Sequence, residues 1–119
     1  MRRIIAVVMV VSIFFMMTVS AKAAEQERSI AVPNLKFNGT TATCSLEVSA
    51  NNTSDPIIAS VTLKHGNTVV KQWLNMTASG YMNFSDTAHV VQGNTYTMQV
   101  LLYINGVLYP ISDITKTCN

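Results

Sequence analysis

The feature that most constrains the fold is the period of the apolar residues, which recur at every second position through much of residues 24–119. Ala42, Cys44, Leu46 and Val48 alternate with polar side chains, as expected for a strand that buries one face. The 12 Thr and 9 Val in this range also favour pleated, half-buried strands. The pattern therefore predicts an all-β domain.

Turn residues divide the domain into about seven strands. Asn51–Pro56 has the composition of a loop, and Gly66-Asn67 and Asn105-Gly106 have that of two-residue hairpin turns. Strands that repeat every 8–12 residues or so, with turns between them, are typical of an antiparallel β-sandwich. Pro33 and Pro110 restrict the first and last strands to sheet edges, because proline lacks the N–H that pairing requires.

Residues 1–23 have the pattern of a secretory signal peptide. The Arg2-Arg3 pair is followed by an apolar run, Ile4–Val19, and then by the small-x-small motif Ala21-Lys22-Ala23. The run has 16 residues, fewer than the roughly 20 that span a bilayer. We therefore expect cleavage after this motif and secretion of one domain, residues 24–119, with an uncleaved anchor as the alternative.

Loss of the signal peptide changes the charge of the chain. Residues 24–119 contain five basic and six acidic side chains, which give a formal net charge of −1. The basic isoelectric point of the full chain therefore comes from its first 23 residues. Because no basic cluster remains, we expect neither a nucleic-acid partner nor membrane binding after cleavage.

The two cysteines predict a disulfide. Cys44 and Cys118 are even in number and belong to a chain bound for an oxidising compartment. The alternative is a reactive free thiol, which would need a histidine or a cationic neighbour to activate it.

The segment Val91-Gln92-Gly93-Asn94-Thr95-Tyr96 resembles the turn and tyrosine of immunoglobulin-like and fibronectin III-like sandwiches, in which the tyrosine bonds back to the backbone. Residues 30–118 as a whole resemble small secreted single-domain sandwich proteins of Gram-positive bacteria. The resemblance implies an immunoglobulin-like or fibronectin III-like fold and no particular function. In a bacterium the five N-x-S/T sequons are polar surface, whereas in a eukaryote they would accept glycans: Asn38, Asn51, Asn52, Asn75 and Asn83.

Residues that could perform chemistry are few. His65 lies at a predicted turn and His89 within a predicted strand, and neither has the neighbours of a zinc site. Asp55 and Asp86 are the acids closest to loops, and the chain has no Gly-x-Ser-x-Gly motif. The sequence therefore predicts a non-enzymatic protein with no catalytic residues, no metal and no cofactor.

The last hairpin predicts an unusually apolar outer face. A two-residue turn at Asn105-Gly106 pairs Leu102 with Tyr109, and by the same register Ile104 with Val107 and Val100 with Ile111 on the inner face. The opposite face then carries Leu101, Tyr103 and Leu108.

The Gly66-Asn67 turn extends this face. In its register Leu63 lies opposite Val70 on the inner side, and Trp73 lies opposite Ser60 on the outer side. The candidate binding patch consists of Ile58, Val69, Trp73, Leu101, Tyr103 and Leu108. The alternative is a bulge that shifts the register by one residue and turns Trp73 into the core.

These features favour a secreted binding or adhesion module for an unknown protein or glycan partner, with its oligomeric state left open. One alternative is a structural, self-associating component of the cell surface, which would pair through exposed strand edges. A second is a secreted inhibitor or small hydrolase that uses the Asn51–Pro56 loop.

Overall fold

The computed structural model describes residues 29–119, which form two antiparallel β-sheets. The predicted signal peptide, residues 1–23, and residues 24–28 lie outside the described residues. The strands are β1 (Ile30–Asn38), β2 (Thr41–Ser49), β3 (Pro56–His65), β4 (Thr68–Ser79), β5 (Tyr81–His89), β6 (Thr95–Ile104), β7 (Val107–Tyr109) and β8 (Ile114–Thr117).

The strand order is that of a fibronectin III-like sandwich. One sheet has the order β1-β2-β5 and the other β4-β3-β6-β7, with β8 beside the far end of β6. The fourth strand thus pairs with the third, whereas in a constant-type immunoglobulin domain it pairs with the fifth. The predicted all-β antiparallel sandwich is confirmed. The part of the chain that the structure describes contains no helix able to cross a membrane.

The core lies between the two sheets and follows the predicted alternation. The inner rows of β2 and β3 are fully buried: Ala42, Cys44, Leu46, Val48, Ile57, Ala59, Val61 and Leu63. Burying an aliphatic side chain of this size contributes about 1.5–3 kcal/mol. These two rows therefore hold the sheets together and fix which side chains face outward.

The predicted last strand is two strands. β7 continues the Asn105-Gly106 hairpin for three pairs, ending with Leu102 opposite Tyr109. Pro110 then interrupts the strand, because it has no N–H to donate to β6. The expected pairing of Val100 with Ile111 does not form, and the sandwich has eight strands instead of seven.

The tyrosine corner predicted from residues 91–96 is present. The side chain of Tyr96 is buried, and its hydroxyl oxygen accepts a hydrogen bond from the N–H of Val91 at 2.8 Å. This bond fixes the turn between β5 in one sheet and β6 in the other. Gly80 fixes the turn between β4 and β5. Its φ is +74°, and a Cβ there would lie 2.6 Å from the backbone of Thr53, so a larger residue does not fit.

Candidate functional site: the outer face of the five-stranded sheet

One row of apolar side chains crosses the outer face of the five-stranded sheet. Ile58 on β3 pairs with Tyr103 on β6, and Tyr103 pairs with Leu108 on β7. Their exposed fractions are 42%, 37% and 49%. Cross-strand neighbours on one face lie within contact distance of each other. The three side chains therefore form a continuous apolar strip, as predicted.

The adjacent row adds two leucines. Leu101 pairs with Ser60 of β3 and is 50% exposed. Leu74 on β4 follows the inward-facing Trp73, so the alternation of the strand places it on the outer face, where it is 59% exposed. We call these five residues the outer patch: Ile58, Leu74, Leu101, Tyr103 and Leu108.

The predicted position of Trp73 on this face is wrong. Trp73 pairs with the buried Val61, whereas the sequence register placed it opposite Ser60. The register of the β3–β4 hairpin shifts between Leu63 and Lys64, and a one-residue shift moves every following side chain to the other face. Trp73 is consequently half-buried and packs against the core.

Trp73 closes the open side of the sandwich between β4 and β5. Its indole N–H donates a hydrogen bond to Asp86 Oδ2 at 2.7 Å, and its ring meets Phe84 edge-on with centroids 5.4 Å apart. Lys71 Nζ lies 5.3 Å from the centroid of the indole ring, a distance at which cation–π attraction operates. We call these four residues the seam: Lys71, Trp73, Phe84 and Asp86.

Charge within the seam is balanced. The pKa of Asp86 is lowered by the backbone N–H of Thr87, then by the indole N–H of Trp73, and also by Lys71. The Lys71 Nζ is 3.7 Å from Asp86 Oδ2 and donates to the Thr87 carbonyl at 3.0 Å. Each charged group is thus paired across the two sheets, and the seam is a structural closure.

Leu74 occupies the outer position predicted for Trp73, and sequence reasoning missed it. The second bulge of β4 places Leu74 and Asn75 opposite the single residue Ser60. Asn75 has a φ of 53°, in the left-handed region that asparagine tolerates better than most residues, and its N–H donates to Ser60 Oγ at 3.0 Å. The available signal was an asparagine in the middle of a strand, where this residue is depleted.

Val69 lies outside the outer patch. It is 45% exposed and pairs with Lys64. Ile58 and Lys64 are six residues apart on β3, about 20 Å at the usual rise of a strand. Val69 therefore lies at the other end of the same face, next to the 36% exposed Val70.

Polar side chains lie beyond the outer patch on its own face and across the middle of the other sheet. The far end of the same face carries threonine pairs whose hydroxyls bond to each other: Thr95 with Thr117 at 2.8 Å and Thr97 with Thr115 at 3.1 Å. The middle of the three-stranded sheet presents short polar rows on its outer face: Asn34, Ser45 and Ser85, then Lys36, Thr43 and Thr87. The threonine pairs limit the outer patch toward the far end of its own face, whereas Ile30 and Val32 of β1 are themselves more than half exposed.

The expected disulfide is absent from the structure, where Cys44 and Cys118 are both free and buried. The Cys118 thiol instead donates to the carbonyl of Gly39, at 3.3 Å, in the turn before β2. Burial, with a smaller contribution from Asp86, raises the pKa of the Cys44 thiol to about 11. The alternative of a reactive thiol is not favoured either, because both side chains are fully buried.

The remaining polar residues considered from the sequence do not converge. The His65 ring packs against that of Tyr96 at a tilt of 42°, with centroids 5.4 Å apart, and Asp55 Oδ2 accepts a hydrogen bond from the Asn52 N–H within its own loop. Among residues 29–119, no three His, Cys, Asp or Glu side chains lie close enough to hold a metal ion. Comparison with protein-family models and with curated proteins finds no match for this chain.

Proposed function

We propose that this chain is a secreted, non-catalytic binding module that contacts a protein partner through the outer patch. The observation that carries the proposal is the row in which Ile58, Tyr103 and Leu108 lie side by side on three neighbouring strands and face solvent. Contiguous exposed apolar side chains with a polar rim are typical of contact surfaces, and tyrosine is enriched there.

A protein partner is favoured over a glycan by what surrounds Tyr103. Its cross-strand neighbours are the aliphatic Ile58 and Leu108, whereas a small polar ligand needs several placed hydrogen-bonding groups near the aromatic ring. The nearest hydrogen-bonding side chains are Thr77, opposite Ile58, and Ser60, which already accepts from the Asn75 N–H. Gln99 and Thr97 lie toward the other end of the face.

Secretion is part of the same proposal. It is supported by the order of charge, apolar run and small residues in residues 1–23. The described residues contain four lysines and four acids, which supports a partner other than nucleic acid or an anionic membrane. A catalytic role has less support, because Asp86 is paired within the seam and His65 packs against the ring of Tyr96.

The test compares two matched substitutions on one face. Residues 24–119, and the variants Leu101→Asp and Val69→Asp, are each applied to an array of the exported proteins of the producing cell. We expect at least one array protein to bind the wild type and Val69→Asp, with at least tenfold weaker binding by Leu101→Asp. Identical binding profiles for all three proteins, each shown to be folded by circular dichroism, would contradict the proposal.

A further inference from the structure

We propose that the protein partner of the outer patch is a second copy of this chain, packed face to face across a two-fold axis parallel to β6. This inference rests on the proposed function, because both use the outer patch. A two-fold interface brings one surface against itself, so that surface must be complementary to its own image.

The apolar row meets this requirement. Tyr103 stands in its centre, with an aliphatic side chain on each side: Ile58 on β3 and Leu108 on β7. An axis that runs along β6 exchanges the two sides of the row. Ile58 of one copy then faces Leu108 of the other, while Tyr103 and Leu101 each meet their own counterparts. Every apolar side chain on these three strands thereby meets another one.

The polar end of the face is compatible with the same axis. The row there is Lys64, Thr97 and Thr115 on β3, β6 and β8, so Lys64 of one copy faces Thr115 of the other. Gln99 on β6 meets its own counterpart, and it already donates to Asp113 at 3.1 Å. The axis therefore brings no like charges of the described residues together, and residues 24–119 have a formal net charge of only −1, so long-range repulsion is small.

The area available suits a reversible dimer. The strands that overlap across the axis are β3, β6 and β7 or β8, a width of about 14 Å over a length of about 33 Å. This face would remove about 1,000 Å² from solvent in total, which is the lower limit for a specific interface. Leu74 and Val69, both on β4, fall at or beyond the rim, because β4 lies two strands from the axis on one side only.

Pairing along the edges of the three-stranded sheet is less favourable than pairing between faces. On β1 the carbonyl of Leu35 accepts a hydrogen bond from Lys116 Nζ, and just before β1 the carbonyl of Ser29 accepts one from the Tyr109 hydroxyl. On β5 the carbonyl of Thr87 is taken by Lys71. Pro33, two residues before Leu35, faces the same outer edge of β1 and has no N–H to donate there. Such edges resist the addition of another strand.

The test places charge on the proposed axis. Sedimentation of residues 24–119 from about 10 µM to about 1 mM should show a monomer that becomes a dimer. Tyr103→Asp and Tyr103→Lys should each weaken association at least tenfold, because residue 103 would meet an identical charge. An equimolar mixture of the two variants should recover the dimer, since the opposite charges then meet. Val69→Asp, at the rim, should associate as the wild type does.

The outcomes separate the dimer from the wider proposal. A wild type that stays monomeric at every concentration overturns the dimer, and so do Tyr103 variants that associate as the wild type does. If the monomer binds exported proteins and Leu101→Asp loses that binding, the proposed function stands without the dimer. If Leu101→Asp changes neither measurement, both fail. Should the Tyr103 variants prove unfolded by circular dichroism, Leu101→Asp and Leu101→Lys replace them at the next position on the axis.

Discussion

The β3–β4 and β6–β7 hairpins begin alike and end differently. Each turns through two residues, Gly66-Asn67 or Asn105-Gly106. β6 and β7 stay in register for all three of their pairs, whereas β3 and β4 lose register twice. The difference decides which aromatic side chain faces solvent: Tyr103 lies on the outer face, and Trp73 turns into the seam.

The contrast shows that a turn fixes register only until the first bulge. In β4 the bulges add one residue near Val70 and another near Asn75. The first turns Trp73 inward and Leu74 outward, and the second restores the register in which Met76 faces the core. The outer patch therefore depends on the first bulge, which places Leu74 on the outer face and Trp73 on the inner one.

The largest expected effect comes from removing the inward tryptophan. Trp73→Ala removes the contact with Phe84 and leaves the Asp86 carboxylate without its indole partner. We expect a loss of about 3 kcal/mol in the free energy of unfolding, the lower part of the range for large-to-small changes of aromatic residues. Urea unfolding followed by far-ultraviolet circular dichroism measures it.

A Trp73→Ala variant as stable as the wild type would mean that the ring is on the surface and that β3–β4 keeps the register of its turn. Fluorescence gives an independent measurement, because this is the only tryptophan of the chain. If the ring is half-buried, the emission maximum of Trp73 should lie at a shorter wavelength in the folded protein than in the same protein unfolded by denaturant.

The next effect should appear at alkaline pH, and it concerns Cys44, which pairs with Asp86 of the seam. The pKa of this thiol is raised from 9.0 to about 11 in the folded protein. The unfolded chain therefore loses the proton first, and folding stability falls as the pH rises from 9 toward 11. Between pH 8 and pH 10.5 the loss should be about 2 kcal/mol, measured by urea unfolding at the two pH values.

The control for this pH dependence is Cys44→Ala, whose stability should change less over the same range. Thiol alkylation tests whether the two cysteines are free thiols. At pH 8 the folded protein should take up no label, and the unfolded protein should take up two, at Cys44 and Cys118. Unfolded protein that accepts label only after reduction would show that a disulfide forms, contrary to the structure.

A smaller effect should follow from changing the bulge itself. Asn75 has a positive φ, which a β-branched residue adopts only with strain. We expect Asn75→Val to lower the free energy of unfolding by about 1–2 kcal/mol, and Asn75→Gly to leave it nearly unchanged. Equal stabilities of the two variants would argue that β4 has no bulge at this position.

The smallest effect is expected in the β6–β7 hairpin. Tyr103→Ser removes an exposed ring from the outer face, so the free energy of unfolding of the isolated monomer should change by no more than about 0.5–1 kcal/mol. Dilute protein is used for this measurement so that association does not contribute. A loss comparable to that of Trp73→Ala would place Tyr103 in a packed environment and remove the contrast between the two hairpins.

The sequence predicted those parts of the fold that local chemistry controls. Alternation located the inner rows of β2 and β3, and Asn105-Gly106 located the register of Tyr103 and Leu108. The bulges of β4 were beyond prediction, because they depend on how β4 bends toward β5 and on the Ser60 hydroxyl that accepts from Asn75. Most of the outer patch was therefore identified, while Leu74 was missed and Trp73 misplaced.

The partners of Cys118 were also beyond prediction, because they join distant segments. Its N–H and carbonyl bond to Asn94 and Gly93, and its thiol bonds to Gly39. Cysteine count and compartment indicate that a bridge is favourable, but they do not specify where a side chain ends up. Packing between distant segments of the chain therefore determines the partners of Cys118.

The hydrogen bonds that cover the edge of β1 have a consequence for how fast the chain folds. The bond from Tyr109 to Ser29 spans 80 positions, and that from Lys116 to Leu35 spans 81. Contacts between segments so far apart are slow to form, because the entropy of closing a long loop is lost before any contact compensates it. Folding should consequently take milliseconds to seconds, a delay that is compatible with the proposed secretion.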